Sequence, residues 1–226
     1  SVIDASATEQ GDGGTIVAWS DITKTSSLTT VTGTLLARGG QQGGDGGKIE
    51  TSGYDLRVDG ISVDASAPLG LGGEWLIDPY NITIAASNAS GTAYSDNFTA
   101  AATSTILASS IESALNAGTS VSINTGAAGS AGSDDGNISV TAAITKSAGA
   151  AATLTLTAAN KIDISANIGN TGADLLTLVL DTGGNANAAA SGIVSGVLSG
   201  NLALTKQGAG TTHLTAANTY GGGTTV

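Results

Sequence analysis

Along most of the chain the apolar residues fall at every second position, in runs too short for any element but a strand. Beyond residue 120 they form triplets: Val121-Ser122-Ile123, Ile138-Ser139-Val140, Leu154-Thr155-Leu156, Ile162-Asp163-Ile164 and Leu202-Ala203-Leu204. A period of two marks strands with one buried face. Stretches of Gly, Asn, Asp and Ser lie between the triplets and supply the turns. Strands this short form no stable isolated hairpin. Stacked as successive coils, they bury one continuous core.

The first third of the chain carries imperfect repeats. Ile3-Asp4-Ala5-Ser6-Ala7 recurs as Val63-Asp64-Ala65-Ser66-Ala67, and a Gly-Gly-x-apolar step follows each, at Gly13-Gly14-Thr15-Ile16 and Gly72-Gly73-Glu74-Trp75. A third copy of the step is Gly46-Gly47-Lys48-Ile49. The uneven spacing indicates coils with loops of variable length. The pattern predicts an all-β chain: a right-handed parallel β-helix running through residues 1–226 as one segment. At about 20 residues per coil and ~4.8 Å per rung, the rod would be roughly 50 Å long. An antiparallel sandwich would need longer strands, tight hairpins and a more aromatic core.

One segment breaks the alternation. Ser109-Ser110-Ile111-Glu112 reads as a capping box, Ile111, Ala114 and Leu115 share a helical face, and Gly118 supplies a stop. The spacing predicts a short helix over 109–117, packed against or capping the side of the rod.

Composition narrows the function classes. The net charge is −11, with 18 acidic against 7 basic residues. Such a surface repels phosphate backbones, which excludes nucleic acid as a partner, and disfavours anionic lipid headgroups. Cysteine is absent, so there is no disulfide, thiol nucleophile or thiolate metal site. No apolar run is long enough for a membrane span, and no basic-then-apolar signal opens the chain. The chain begins Ser1-Val2-Ile3-Asp4 and stops at Val226 inside a repeat-like stretch, as expected of a portion of a larger protein.

Candidate chemistry is sparse. Gly44-Asp45-Gly46-Gly47 and Gly11-Asp12-Gly13-Gly14 lack the Gly-Lys-Ser/Thr ending of a phosphate loop and the register of a calcium β-roll; they read as tight turns. Asp134-Asp135, beside Asn137, has the carboxylates to ligate Ca²⁺, but it reads as a solvated acidic loop. Glycan-cleaving enzymes need clustered carboxylates, and lyases also need a basic residue. Here the acids are scattered, as are Arg38, Arg57 and the five lysines from Lys24 to Lys206. His213 has no evident triad partner. We therefore expect no enzyme, no catalytic residue, no metal and no cofactor, and ligand-binding residues are not assigned. Trp75 and Tyr80, flanking Leu76-Ile77-Asp78-Pro79, read as core rather than as sugar-stacking aromatics, and Trp19 likewise. Thr153, Thr155 and Thr157 read as an ordinary solvent face. The Asn-x-Ser/Thr sites at Asn81, Asn88, Asn97 and Asn137 are those of a chain rich in these residues.

Two stretches carry a family resemblance. Arg38-Gly39-Gly40 through Gly43-Gly44-Asp45-Gly46-Gly47-Lys48-Ile49-Glu50-Thr51-Ser52-Gly53, then Gly73-Glu74-Trp75-Leu76-Ile77-Asp78-Pro79-Tyr80-Asn81-Ile82-Thr83-Ile84, resembles large filamentous-haemagglutinin-type exoproteins. Ser110–Thr125 and Gly136–Lys146 continue that resemblance, so that it covers residues 1–165. Leu204-Thr205-Lys206-Gln207-Gly208-Ala209-Gly210-Thr211-Thr212-His213-Leu214-Thr215, with Ala217-Asn218-Thr219-Tyr220-Gly221-Gly222-Gly223-Thr224-Thr225-Val226, resembles the autotransporter-associated β-helix repeat. His213 stands where that repeat usually has an aliphatic residue or Thr. The remaining coils, 166–226, are grouped with this second family. The resemblances imply a β-helical passenger stalk of a secreted Gram-negative surface adhesin, supporting adhesion or attachment to biofilm matrix. They also imply host-surface or matrix glycans and an outer-membrane translocator as partners, with either autotransport or two-partner secretion as the export route. A carbohydrate-binding module is the first alternative and a glycan-active enzyme the second.

Overall fold

The computed structural model describes residues 1–58, 60–87, 103–125, 136–183 and 189–226. Its strands stack into three walls around one apolar interior, and every pairing between strands is parallel. This is a parallel β-helix, as the alternation predicts. The front wall has β2 (Thr15–Trp19), β5 (Lys48–Gly53), β8 (Glu74–Pro79), β11 (Ser120–Thr125), β14 (Ala152–Ala158), β17 (Leu176–Thr182), β20 (Leu202–Gln207) and β23 (Thr224–Thr225). The second wall runs β3 (Leu28–Thr30), β6 (Asp55–Arg57), β10 (Ser104–Leu107), β9 (Ile82–Ala85), β12 (Asn137–Val140), β15 (Lys161–Ile164), β18 (Ser191–Val194) and β21 (Thr211–Leu214). The third is split in two: β1 (Val2–Asp4), β4 (Thr34–Leu36) and β7 (Ser62–Asp64), then β13 (Ile144–Lys146), β16 (Ile168–Asn170), β19 (Leu198–Gly200) and β22 (Thr219–Tyr220).

Register converts the alternation into ladders. On the front wall Ile16, Ile49, Trp75, Val121, Leu154, Leu178 and Leu204 stand directly over one another. Beside them run Ile77, Ile123, Leu156 and Leu180. All are buried. The N-terminal repeats stack in the same way, with Ile3 on Leu35 and Leu35 on Val63. The two copies Ile3–Ala7 and Val63–Ala67 thus skip a coil, and Leu35-Leu36-Ala37-Arg38-Gly39 is the degenerate copy between them.

Three expectations need correction. First, coil length runs from 20 residues (Leu204 to Thr224) to 46 (Trp75 to Val121), so the chain builds fewer rungs than about 20 residues per coil implies. Eight front-wall strands at ~4.8 Å give a stack of roughly 34 Å rather than 50 Å. Second, the helix forms as α1 (Ala108–Ala117) and buries Ile111, Ala114 and Leu115, but it does not cap or flank the rod. It packs between β7 and β13 and fills the gap in the third wall. Ten helical residues span about 15 Å, close to the reach of a short strand with its corners. Third, the capping box does not form. The chain enters from β10 with Leu107 extended as N-cap (φ −73°, ψ 132°), and no side chain caps the helix. Glu112 is drawn to the next coil instead, where Oε1 accepts the Thr145 N–H at 2.7 Å. Gly118 does end the helix in the left-handed region (φ 91°), its N–H donating to the Ala114 and Leu115 carbonyls.

The second wall also departs from sequence order. β10 lies between β6 and β9, although it follows β9 in the chain. The Ser104 N–H donates to the Asn81 carbonyl at 2.9 Å, and the Leu56 N–H donates to Ser104 Oγ at 2.9 Å, so the returning strand is held from both sides.

Candidate functional site

The Gly-Asp-Gly-Gly turns are corners between the third and front walls. Asp45 N–H donates to the Asp12 carboxylate and Leu71 N–H to the Asp45 carboxylate, each at 2.8 Å. Both carboxylates therefore clamp the next coil. Glycine is required because the backbones touch: a Cβ at Gly13 would collide with the Ala37 carbonyl, and one at Gly46 with the Ala65 carbonyl. Asp134 and Asp135 lie outside the described residues, as do Asn88 and Asn97. Asn81 is buried, and its Oδ1 accepts the Asn137 N–H at 2.7 Å. Among the described residues no cluster of three His, Cys, Asp or Glu residues could hold a metal. His213 is exposed and stands beside Ile193 on the outside of the second wall, away from the core. Arg38 faces Asp64 at 4.0 Å and Arg57 pairs with Asp55 at 3.0 Å, so the two arginines occupy separate structural pairs.

The aromatics divide. Trp75 is fully buried, and its indole N–H donates to Thr51 Oγ1 at 3.0 Å. Tyr80 is also buried and stacks on Tyr54 with ring centroids 4.7 Å apart. Both are core, as the sequence suggests. Trp19 is not: it points outward from β2 and is 67% exposed. Ile16 takes the inward position of that strand, which puts Val17 and Trp19 on the outer face. The aligned Gly-Gly-x-apolar step carries this information, because it equates Ile16 with Trp75 and leaves Trp19 at odd spacing.

Around Trp19 the outer front wall gathers the features that could hold a ligand. In one row of outward parity Trp19, the covered Ser52 and Asp78 are register partners on successive rungs, Ser52 being only 2% exposed; in the next row stand Val17, Glu50 and Leu76. Ser52 Oγ donates to Glu50 Oε1 at 2.9 Å, orienting that carboxylate. Partial burial and the Glu50 charge push the Asp78 carboxyl up to about 6. No ion pair reaches either carboxylate among the described residues. Lys48, the cation on these rungs, stands beside Glu74 in a third row. Further along the same wall the outward side chains become hydroxyls and one amide: Ser122 beside Thr155, Asn124 beside Thr157, and Thr153 beside Thr177. The Thr153, Thr155 and Thr157 row gives way to Thr177, Val179 and Asp181 one rung on, so no regular threonine file forms.

Two lysines point inward. Lys146, with no solvent exposure, donates through Nζ to the Ala148 carbonyl at 2.5 Å and the Gly149 carbonyl at 3.0 Å, and burial lowers its pKa. Lys206 continues the Leu156–Leu180 ladder and donates to the Gln207 and Gly208 carbonyls. Beside it the core opens at the last coils as a cavity of about 580 Å³ lined by Leu180, Leu204, Leu214, Thr224 and Val226.

Residues 204–226 match the passenger-associated-transport-repeat. The matched repeat comprises the end of β20 with β21, β22 and β23, so it forms the final rungs of the same stack. This end of the chain is an autotransporter-passenger-associated repeat region, and a passenger repeat belongs to a secreted or surface-exposed protein. No helix among the described residues is long and apolar enough to cross a membrane. No curated protein matches the chain.

Proposed function

We propose that this chain is a stalk segment of a secreted bacterial surface adhesin of the filamentous-haemagglutinin type, holding adhesive surface away from the cell for attachment to host or matrix glycans. The observation that carries the reading is the continuity of the front wall, which runs from β2 into the passenger repeat without a break. A structure built from nearest-neighbour rungs is suited to this work: it is extended, it needs no disulfide, and each coil is stabilised by the one before it. The reading includes an outer-membrane translocator as the export partner and no catalysis by the described residues.

The test is to place the chain upstream of an autotransporter barrel and display it on a Gram-negative cell. The expected outcome is a folded, protease-resistant passenger at the surface that increases retention on glycan-coated surfaces. Release of new reducing ends or unsaturated sugars from polysaccharide would overturn the non-catalytic part. A displayed, folded passenger that leaves retention unchanged would overturn the adhesive part.

A further inference from the structure

The outer surface of β2, β5 and β8 is the part of the molecule whose composition asks for a ligand. A tryptophan on a β-helix wall either fills the core, as Trp75 does, or stands in water at a large hydrophobic cost. Trp19 stands in water with Val17, itself 51% exposed, beside it. On the next rung Glu50 partners Val17, and one rung further Asp78 stands in the Trp19 row beyond Ser52, near enough for Glu50 to disfavour ionisation of Asp78. Two partly buried acids that no described residue ion-pairs are relieved by a cation placed between them. Ser52 fixes one of the pair by its hydrogen bond to Glu50.

We propose that this surface binds a cationic amino-sugar glycan, a polymer of hexosamine units bearing free ammonium groups, lying along the axis of the rod. Trp19 packs against the apolar face of one pyranose ring and attracts the adjacent ammonium through its π-face. Glu50 and Asp78 accept hydrogen bonds from the ammonium and hydroxyl groups of the units that follow. Rungs repeat at ~4.8 Å, nearly the length of one hexose in an extended chain, so successive sugar units meet successive rungs. Charge selects the class. The chain carries −11 overall, and this patch presents carboxylates with no ion pair among the described residues, which repel uronic-acid polymers and leave N-acetylated, neutral ones without the ionic contact.

The inference deepens the adhesive reading by naming a ligand class and a site, but its test uses purified chain and does not involve export. Titration calorimetry would compare oligomers of glucosamine, of N-acetylglucosamine and of galacturonate. The glucosamine oligomer should bind, with affinity that falls as salt is raised, and the other two should bind about tenfold more weakly or not at all. Trp19→Ala and the double change Glu50→Gln with Asp78→Asn should each weaken binding by about tenfold. The far-ultraviolet β signal should be unchanged in every variant, since all three side chains lie outside the core. Absence of glucosamine-oligomer binding, equal binding of the neutral oligomer, or binding that survives both sets of changes would overturn the proposal. None of these results would affect the display assay for the stalk.

Discussion

The first three coils and the coils after β12 have the same architecture but differ in the side chains that clamp their corners and line their core. In the first, corners close by backbone touching backbone: Gly13, Gly46, Gly47 and Gly73 each abut a main-chain atom of a neighbouring coil. The interior there is mixed, with Ile49 and Trp75 beside the buried hydroxyl of Thr51. In the later coils the front-wall ladder is leucine on leucine, Leu154–Leu178–Leu204 and Leu156–Leu180. Corners there are clamped by amide side chains. Asn167 Oδ1 accepts the Val197 N–H at 2.9 Å, Asn218 Oδ1 the Leu198 N–H at 2.8 Å, and Asn170 Nδ2 bonds the Asp174 and Asn201 carbonyls at 2.7 Å. A solenoid needs only rungs that stack and corners with satisfied backbone. Both regions use close backbone approach, at Gly196 against the Ala166 carbonyl and Gly200 against the Asn170 carbonyl as at Gly46 against Ala65. They differ in the clamp, carboxylate at Asp12 and Asp45 but amide at Asn167 and Asn218, and in the leucine ladder of the later coils.

This contrast is breakable. The largest effect should come from the glycine corners. Gly46→Val drives a branched side chain into the Ala65 carbonyl and should destabilise the first coils by about 3 kcal/mol or more in denaturant unfolding. Gly223→Ala, with open space around its Cβ, should stay within about 0.5 kcal/mol. Equal losses at the two sites would show that close backbone approach at Gly46 does not hold the corner. Next comes the leucine ladder. Leu178→Ala removes a buried side chain from between two others and should cost about 3 kcal/mol.

Smaller effects sharpen the picture. Asn167→Ala leaves the Val197 N–H without its clamp and should cost about 1 kcal/mol. Asp78 provides a pH signature in the first region. Its folded pKa of about 6 lies above the ordinary 3.8, so the folded chain holds a proton that the unfolded chain has lost. Its favourable contribution is complete below the unfolded value and disappears as pH rises through the folded one. Asp78→Asn should therefore match the parent at about pH 4 and gain roughly 1 kcal/mol at about pH 7.5, a figure that allows for the solvent access of this carboxylate. A variant that is more stable yet loses glucosamine binding would separate the cost of the carboxylate from its use.

Much of the fold was legible from the chain. Each apolar triplet beyond residue 120 has its outer residues buried, and the helix near 109–117 was marked by Ile111, Ala114, Leu115 and the stop at Gly118. What escaped was placement. Ile82-Thr83-Ile84-Ala85 and Ser104-Thr105-Ile106-Leu107 share one alternation, so the pattern cannot say which strand takes which rung. Asn81 and Leu56, the residues that seat Ser104, are distant in sequence. The helix is amphipathic whether it flanks the rod or completes a wall, and only its neighbours β7 and β13 distinguish the two. Thr15-Ile16-Val17-Ala18-Trp19 has apolar residues of both parities, which hid the outward Trp19 and with it the candidate site. The passenger repeat was visible because its motif is local.

The central claim is that successive coils stack in parallel at the stated register, and it admits a direct chemical measurement. The chain has no cysteine of its own, so a pair can be introduced without competing thiols. Thr155 and Val179 are outward register partners on β14 and β17, whereas Thr177 partners Thr153. Adjacent rungs at ~4.8 Å lie within the Cα range of a disulfide. Under mild oxidation, Thr155→Cys with Val179→Cys should form an intramolecular disulfide in nearly all molecules, and Thr155→Cys with Thr177→Cys should form far less. Equal yields from the two pairs, or no disulfide in the first, would contradict the stacked parallel register.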